Sequence, residues 1–502
     1  MACIQLAVVG ALLAASGCGR LGFDSTGGDG GGSGALTLSY PRPAVYAVLD
    51  VSSISLTPTV SDPAAQFTVQ PALPQGISLD AQTGTITGIP TQVADEVRYT
   101  VVASTGTASG SAVVELTVLP GYVVDTNAEG ADADGGADTV CATSSGGCTL
   151  RAALQTTNNR ATKQLVLLDA LTYALTSAAP SIARDVVIAG SGAAVTTIRA
   201  STPNPPFPAL TLAASATLAL RDLHVRDFGG TNGGALAVSA GSLDVDRCAF
   251  TNNRSPGSGG VLHITSGARA TFSRTMFTGN ASLGGSGGGW GGVINGEDAN
   301  TEIIVEESAA TQNTTAWGAF AHITTGTTLR LSSSTLYGNT STTAGTLATP
   351  GGIYTLVNVT IVNNQNTSAT PESAGIYLYS VPCSYAVTNS LIANNRDVNN
   401  DEYDCHRRDT ATTITSGGGN LFGDDGANCA AYLTGRGDRV STDPLLDPAG
   451  AGDHGGPTPT ILVQPGSPAI DGAGDASCAA RAQRGGGRPL GAGGDIGAGE
   501  GR

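Results

Sequence analysis

The sequence predicts an all-β protein: a right-handed parallel β-helix with a short capping helix, preceded by an Ig-like β-sandwich. Three observations carry this. Leu218–Asn395 is a tandem repeat whose units end on Asn253, Asn280, Asn313, Asn339, Asn364 and Asn395. Three, eight and ten residues before each anchor stand apolar columns: Phe250 to Ile392, Val245 to Val387 and Leu243 to Tyr385. The anchors are 27, 33, 26, 25 and 31 residues apart, so the strands are fixed while the turns are elastic. Before Pro120 the pattern changes to short alternating strands separated by Pro and Gly turns, a sandwich rhythm.

The offsets of eight and ten differ by two, which puts both columns on one face of a strand. Coils stacked about 4.8 Å apart would superimpose like residues as internal ladders. The anchor Asn suits a left-handed bend, and its amide can bond from coil to coil. A second corner is expected at Gly234, Gly260, Gly292, Gly318, Gly352 and Gly375.

A net charge of −16 leaves no basic stripe to displace phosphate counterions, so nucleic acid is excluded as a partner. Residues 1–17 form an apolar run too short to span a membrane and read as an export signal. Ala15-Ser16-Gly17-Cys18 resembles the lipobox of bacterial lipoproteins, which implies lipidation at Cys18. The expected location is therefore a membrane-anchored lipoprotein of the outer membrane or cell surface. Residues 18–35 are Gly/Ser-rich, a flexible tether.

Residues 36–120 hold the sandwich. Their run LPQGISLDAQTGTITGIPT resembles the Ig-like and cadherin-like modules of bacterial surface proteins, through Leu73, Pro74, Gly76, Ile77, Leu79, Thr83, Gly84, Ile86, Gly88 and Pro90. Such modules serve as spacers or carbohydrate-binding units. Residues 121–200 form a cap and the first coils. CATSSGGCTLRAALQTTNN resembles the CSLREA domain, with Thr149 and Ala152 where the family has Ser and Glu. Thr149 can cap a short helix whose Leu150, Ala153 and Leu154 share one face, a lid for the open end of a solenoid. Residues 201–400 are the repeats. Residues 401–502 resemble the C-terminal segment of the choice-of-anchor Q family of surface β-helix proteins, through Gly455 to Thr460, Gly466 to Asp471, Gln483 to Gly485 and Asp495 to Glu500. With Arg502 following directly, Cys18 is expected to supply the anchor.

Cys141 with Cys148, and Cys405 with Cys429, are the expected disulfides. Cys248 reads as a small buried filler, and Cys383 and Cys478 are left unassigned. Upstream of the cap, Asp132, Asp134 and Asp138 lie beside Gly in the run ADADGGAD, a candidate calcium loop; apart from this Ca²⁺ no cofactor is expected.

Parallel β-helices host pectate-lyase-like and polygalacturonase-like enzymes, so catalysis has to be tested at residue level. Asp244, Asp246 and Glu306 occupy outward positions. Asp246 and Glu306 fall in one column two coils apart, about 10 Å, near the roughly 6.5–9.5 Å of inverting glycosidases. The sequence holds no Gly-His-Gly or Arg-x-Lys of the polygalacturonase kind, and its five histidines do not converge. His263 and His322, at offsets three and four from their Gly corners, are expected on opposite faces. The reading is therefore a non-catalytic display or adhesion protein, with a polysaccharide or surface protein as partner. The alternatives are a polysaccharide lyase or glycoside hydrolase acting on the exposed sheet, and a structural envelope protein without a specific ligand.

Overall fold

The structure is a computed structural model that describes residues 35–284, 289–379, 383–409, 412–424, 429–474 and 478–501. The signal 1–17, Cys18 and the tether before Ala35 lie outside the described residues. From Gly121 onward the chain winds into four parallel sheets with eleven, ten, eight and five strands. One coil shows the order: Ser242–Asp246 in sheet one, Ala249–Thr251 in sheet two, Arg254–Ser255 in sheet four and Leu262–Ile264 in sheet three. Arg269–Ser273 then opens the next coil against Ser242–Asp246.

The registers are those the columns require. Val245, Phe272, Val305, Leu331, Leu356 and Val387 pair in succession, as do Phe250, Phe277, Ala310, Leu336, Ile361 and Ile392. All are buried in one continuous core. Like rings meet within it: Phe250 stacks on Phe277 at 5.8 Å and Tyr354 on Tyr385 at 4.5 Å.

The anchor asparagines form an unbroken buried ladder. Nδ2 of Asn253, Asn280, Asn313, Asn339 and Asn364 donates to Oδ1 of the next, at 2.8–3.1 Å. The same Oδ1 accepts the backbone N–H of the preceding anchor. Each amide also donates to a backbone carbonyl of the previous coil, so the buried turn is fully paired. Asp404 ends the row, accepting from N and Nδ2 of Asn395. The left-handed bend expected at the anchor falls one residue earlier, at Asn252, Gly279, Gln312, Gly338, Asn363 and Asn394. The anchor itself is needed for its amide.

The Gly corner also needs a correction. The left-handed positions are Gly233, Gly259, Gly291, Gly318 and Gly345, so Gly318 is equivalent to Gly259 and not to Gly260. Ala319 occupies the place of Gly260 and Gly292.

The helix Leu150–Asn158 starts at Thr149, whose Oγ1 accepts from Ala152 N at 3.0 Å, and it buries Leu150, Ala153 and Leu154 against the first coils. Cys141–Cys148 and Cys405–Cys429 are bridged. Cys248 is buried beside its own turn, and burial pushes its thiol up to about 12. Residues 443–474 and 478–501 return as a belt over sheet two, burying Ile461, Ala469 and Ile496 on Val362, Leu391 and Leu421. Gln483, fully buried, is held by Thr335 and Thr458, and the Arg488–Glu500 ion pair is 1% exposed on either side. Gln483, Asp495 and Glu500 are thus packing residues of the belt.

The sandwich keeps its own core around Ala47, Phe67, Tyr99, Val101 and Val118. Gly76 and Gly88 stand where a Cβ would fall 2.0 Å from a carbonyl oxygen, which is why its turn motif needs glycine there. Only Pro120 separates its last strand, Ser109–Leu119, from the first strand of sheet one, Gly121–Val124.

Replacing Asn313 by Ala removes an acceptor of two buried N–H donors and a donor to Asn339. At about 1–3 kcal/mol for each group left unpaired, the variant should lose at least ~3 kcal/mol in guanidinium unfolding. Amide protection should fall first at Asn280; an unchanged midpoint would remove the ladder as a stabilising element.

Candidate functional site

Asp246, Ser273 and Glu306 do share one outward column, but the face is not the open surface expected. The sandwich docks on the outside of sheet one over its early coils. Val48 and Leu119 pack on Leu165, Val187, Ala189 and Ala219, all outward and all buried. Beside this apolar patch runs a charged seam. Arg221, its side chain 5% exposed, donates to Asp244 Oδ2 at 2.5 Å and to Glu96 Oε1 of the sandwich at 2.6 Å. Arg247 grips both oxygens of Asp222 at 2.9 Å and the Tyr46 hydroxyl of the sandwich at 2.6 Å, and also contacts Asp246. Arg274 adds a fork onto Asp246 at 2.6 and 2.7 Å.

Burial works against the Arg221 charge, yet Asp244 and Glu96 hold its pKa above the ordinary value; burial likewise drives the Tyr46 hydroxyl up. Asp246 is 7% exposed and committed to two guanidinium groups. It has neither the access to water nor the free oxygen that an acid or base needs. Glu306 accepts a hydrogen bond from Ser273 Oγ at 3.0 Å. The Asp244–Asp246 seam is an intramolecular clamp, and the sandwich is a fixed part of the solenoid wall rather than a free spacer.

In the candidate calcium loop, Asp132 accepts from the amides of Asp134, Gly136 and Ala142. Asp134 accepts from Gly136, Ala137 and Asp138, and Asp138 from Val140. The carboxylates fold the loop on itself. Among the described residues no group of three or more His, Cys, Asp or Glu side chains is arranged to hold a metal ion.

The structure brings together a set of residues that sequence reasoning separated. His263, Asn295 and His322 stand in one outward column of sheet three, continued by Ala348, Tyr377 and His406. The expectation that His263 and His322 lie on opposite faces fails because Gly318 was set one residue out of register. Gly291 and Gly318, with φ +67° and +70°, turn the chain into sheet three; a Cβ there would sit 1.9–2.2 Å from a carbonyl oxygen. The residues just before these bends are Trp290 and Trp317, the only tryptophans among 502 residues, bridged in adjacent coils.

Trp290, 42% exposed, stacks on His322 at 5.9 Å and 17°. Trp317 leans on Tyr379 at 4.7 Å and Tyr377 at 6.1 Å, and Tyr403 stacks on His406 at 5.4 Å. From the coil of Trp290 to that of His406 is four coils, about 19 Å along the axis. Polar groups rim the rings: Glu297 accepts from Asn295 at 2.8 Å, and Glu372 pairs with His406 at 2.5 Å. Burial pushes His322 down to about 3, and raises Tyr377, beside Glu372, and Tyr379. Tyr377 is 1% exposed and His322 is buried, so the rings this face offers are those of Trp290 and, in part, Trp317 and Tyr379, with hydroxyl-accepting groups at their edges. The pairing was legible in the 27-residue spacing of the tryptophans, one coil, each followed by a corner Gly.

Away from this face, a recess of about 520 Å³ lies between Asn394, Glu402, Asp443 and Gln464, without an aromatic ring. His454 bonds Thr460 in a turn and His224 bonds Thr251; neither joins the face.

The fold and this face define a parallel β-helix with a docked Ig-like module. Residues 36–119 match the family model described as Putative Ig domain. No match to a CSLREA or choice-of-anchor Q family was found, and no curated protein matches the chain. Among solved structures it is similar to pectin methylesterase from carrot, 13% identical over 57% of this chain and 81% of that one, with a TM-score of 0.25. It is also similar to the Agl-KA catalytic domain, 11% identical over 81% and 84%, TM-score 0.25. A GH87 alpha-1,3-glucanase catalytic domain is 11% identical over 77% and 86%, TM-score 0.21. Likenesses this weak carry nothing about activity.

Arg247→Ala leaves Asp222 uncompensated beside Tyr46 and leaves Asp246 to Arg274 alone, a loss of about 3–5 kcal/mol. Small-angle scattering should show a larger radius of gyration as the sandwich swings away, more so at low salt where the bared carboxylates repel. Unchanged scattering and stability would mean that the seam does not hold the module.

Proposed function

We propose that this is an exported, lipid-anchored surface protein that binds polysaccharide without cleaving it, using the aromatic face of sheets three and four. The observation that carries the reading is the convergence of both tryptophans with Tyr377 and Tyr379 on one side of an otherwise Ser/Thr/Asn-rich solenoid. The negative faces of such rings attract the C–H groups of a sugar face, while rim carboxylates and amides accept its hydroxyls. Cys18 would carry the lipid, with the tether leading to the docked sandwich, and the resemblance of 401–502 to the choice-of-anchor Q family fits a surface location. The engagement of Asp244 and Asp246 in ion pairs counts against the lyase or hydrolase alternative.

Because the chain has two tryptophans and both lie here, its tryptophan fluorescence reports on this face alone. Titrating the full chain with neutral and acidic polysaccharides, with and without Ca²⁺, should change the emission with at least one glycan and release no reducing ends or unsaturated products. Trp317→Ala should weaken that binding about tenfold or more, given ~1–3 kcal/mol per stacked ring in the comparable case of nucleobases. Product release that disappears in Asp246→Ala or Glu306→Ala would establish the enzyme instead. Cys18→Ala should move the protein from the detergent phase to the aqueous phase in phase partition; an unchanged distribution would remove the lipid anchor.

A further inference from the structure

The later end of this face holds an exposed arginine, Arg408. Tyr377 pairs in register with His406 and Leu378 with Arg407, so Tyr379 and Arg408 follow side by side in adjacent coils, where Arg408 N donates to Leu378 O at 2.8 Å. Alternation puts His406 and Arg408 on one side of that segment and Arg407 and Asp409 on the other. The contacts agree. Arg407 lies over the Tyr432 ring at 4.5 Å and acts with Asp409 on the Cys383 thiol, whereas Arg408 acts on the Tyr377 and Tyr379 hydroxyls.

Arg408 is held in place without being neutralised. The hydroxyl of Tyr377, whose residue is 1% exposed, accepts from Arg408 and donates to Glu372, and Glu372 is itself taken by His406 Nδ1 at 2.5 Å. Arg221, Arg247 and Arg274 each close an ion pair. Among the described residues no carboxylate comes within ion-pair distance of Arg408. Next to it stand Trp317 and Tyr379, rings 4.7 Å apart and both partly open to water.

We propose that Arg408 receives the carboxylate of an acidic sugar whose ring stacks on Trp317 and Tyr379. Stacking supplies affinity for any sugar; the planar guanidinium fork supplies the choice, because it matches a carboxylate with two parallel charge-assisted bonds. The net charge of −16 does not oppose this, since exposed charges beyond about 8–10 Å are screened at physiological salt. The other end of the face has the opposite sign: Glu297 belongs to the coil of Trp290, four coils from Arg408, about 19 Å. The acidic sugar therefore has one seat, at the Tyr379 end, rather than a row of them. This inference rests on the glycan-binding reading and narrows it to uronic-acid-bearing glycans and to one residue that selects them.

The test follows tryptophan emission of the full chain with trimers of galacturonic acid and of glucuronic acid. Each is used as the free acid and as its methyl ester, which keeps the skeleton and removes the charge. At least one free acid should bind about tenfold or more tighter than its ester. In Arg408→Gln, whose amide can still serve the Tyr377 hydroxyl, acid and ester should bind alike, at the affinity of the ester for the unaltered chain. Arg408→Lys should keep the preference for the acid.

Equal binding of acid and ester by the unaltered chain would overturn the seat and leave the glycan reading standing, as would an Arg408→Gln chain that keeps the preference. Silence with all the trimers while a neutral polysaccharide still changes the emission would overturn the acidic class. Silence with every glycan would remove the glycan reading and this inference with it.

Discussion

Everything in this molecule depends on keeping successive coils in register, and the buried asparagine row is where that constraint is tightest. Each Asn closes a turn whose backbone is out of reach of water. Its Oδ1 accepts two N–H groups of the preceding coil's anchor, and its Nδ2 supplies a carbonyl of that coil and the next amide in the row. A slip of one residue would unpair all of these and turn the whole inner column outward. The apolar columns alone tolerate exchange, as Phe272 beside Val305 and Phe277 beside Ala310 show. The amide row does not, and this is why the anchors stay Asn while the spacing between them varies by several residues.

A stack held this way is vulnerable at its ends and on any outward face that is not polar. The helix Leu150–Asn158 closes the first coil, and Asp404 terminates the amide row with an acceptor that needs no further partner above it. After Gly121–Val124, the early strands of sheet one are apolar on both faces, Gln164–Leu168 and Val186–Ala189, and the sheet becomes alternating only from Ser242–Asp246. The sandwich covers that early stretch, and the seam of Arg221, Arg247 and Arg274 marks the line where apolar contact gives way to charge. Arg247 and Arg274 hold left-handed positions in the corner between sheets one and two, which sets their side chains beside the carboxylates of neighbouring coils. The belt does the same work for sheet two.

The solenoid was legible because its signal is an offset within one coil: minus three, minus eight and minus ten from an Asn survive any change in loop length. The Gly corner lies on the far side of the elastic loops, where counting from one anchor to the next loses a residue. Gly318 was placed with Gly260 although its backbone conformation belongs with Gly259, and one residue of error was enough to separate His263 from His322. The docking of the sandwich had a signal that went unread: outward positions occupied by Leu165, Val187 and Ala219, apolar where a solvated strand would alternate. The carboxylate of Asp246 looked available because Arg247 and Arg274, which neutralise it, belong to turn positions that a strand pattern does not place in space, and that of Asp244 because Arg221 ends a strand in the coil before the first counted anchor.

With the early part of sheet one under the sandwich and much of sheet two under the belt, the surfaces left open are the later coils of sheet one and sheets three and four. Its aromatic residues are few, 5% of the chain, and the solenoid places most of its phenylalanines in the core, where they stack on one another. The tryptophans instead stand at the bends, one partly in water and one against two tyrosines, in a place where neither fills the inner column. Core packing gives no reason for a ring at Trp290: Ser258 takes the equivalent bridge position one coil earlier without disturbing the register. A ring that the fold can do without at that position, repeated in the adjacent coil and set beside Tyr377 and Tyr379, is what the proposed binding role rests on.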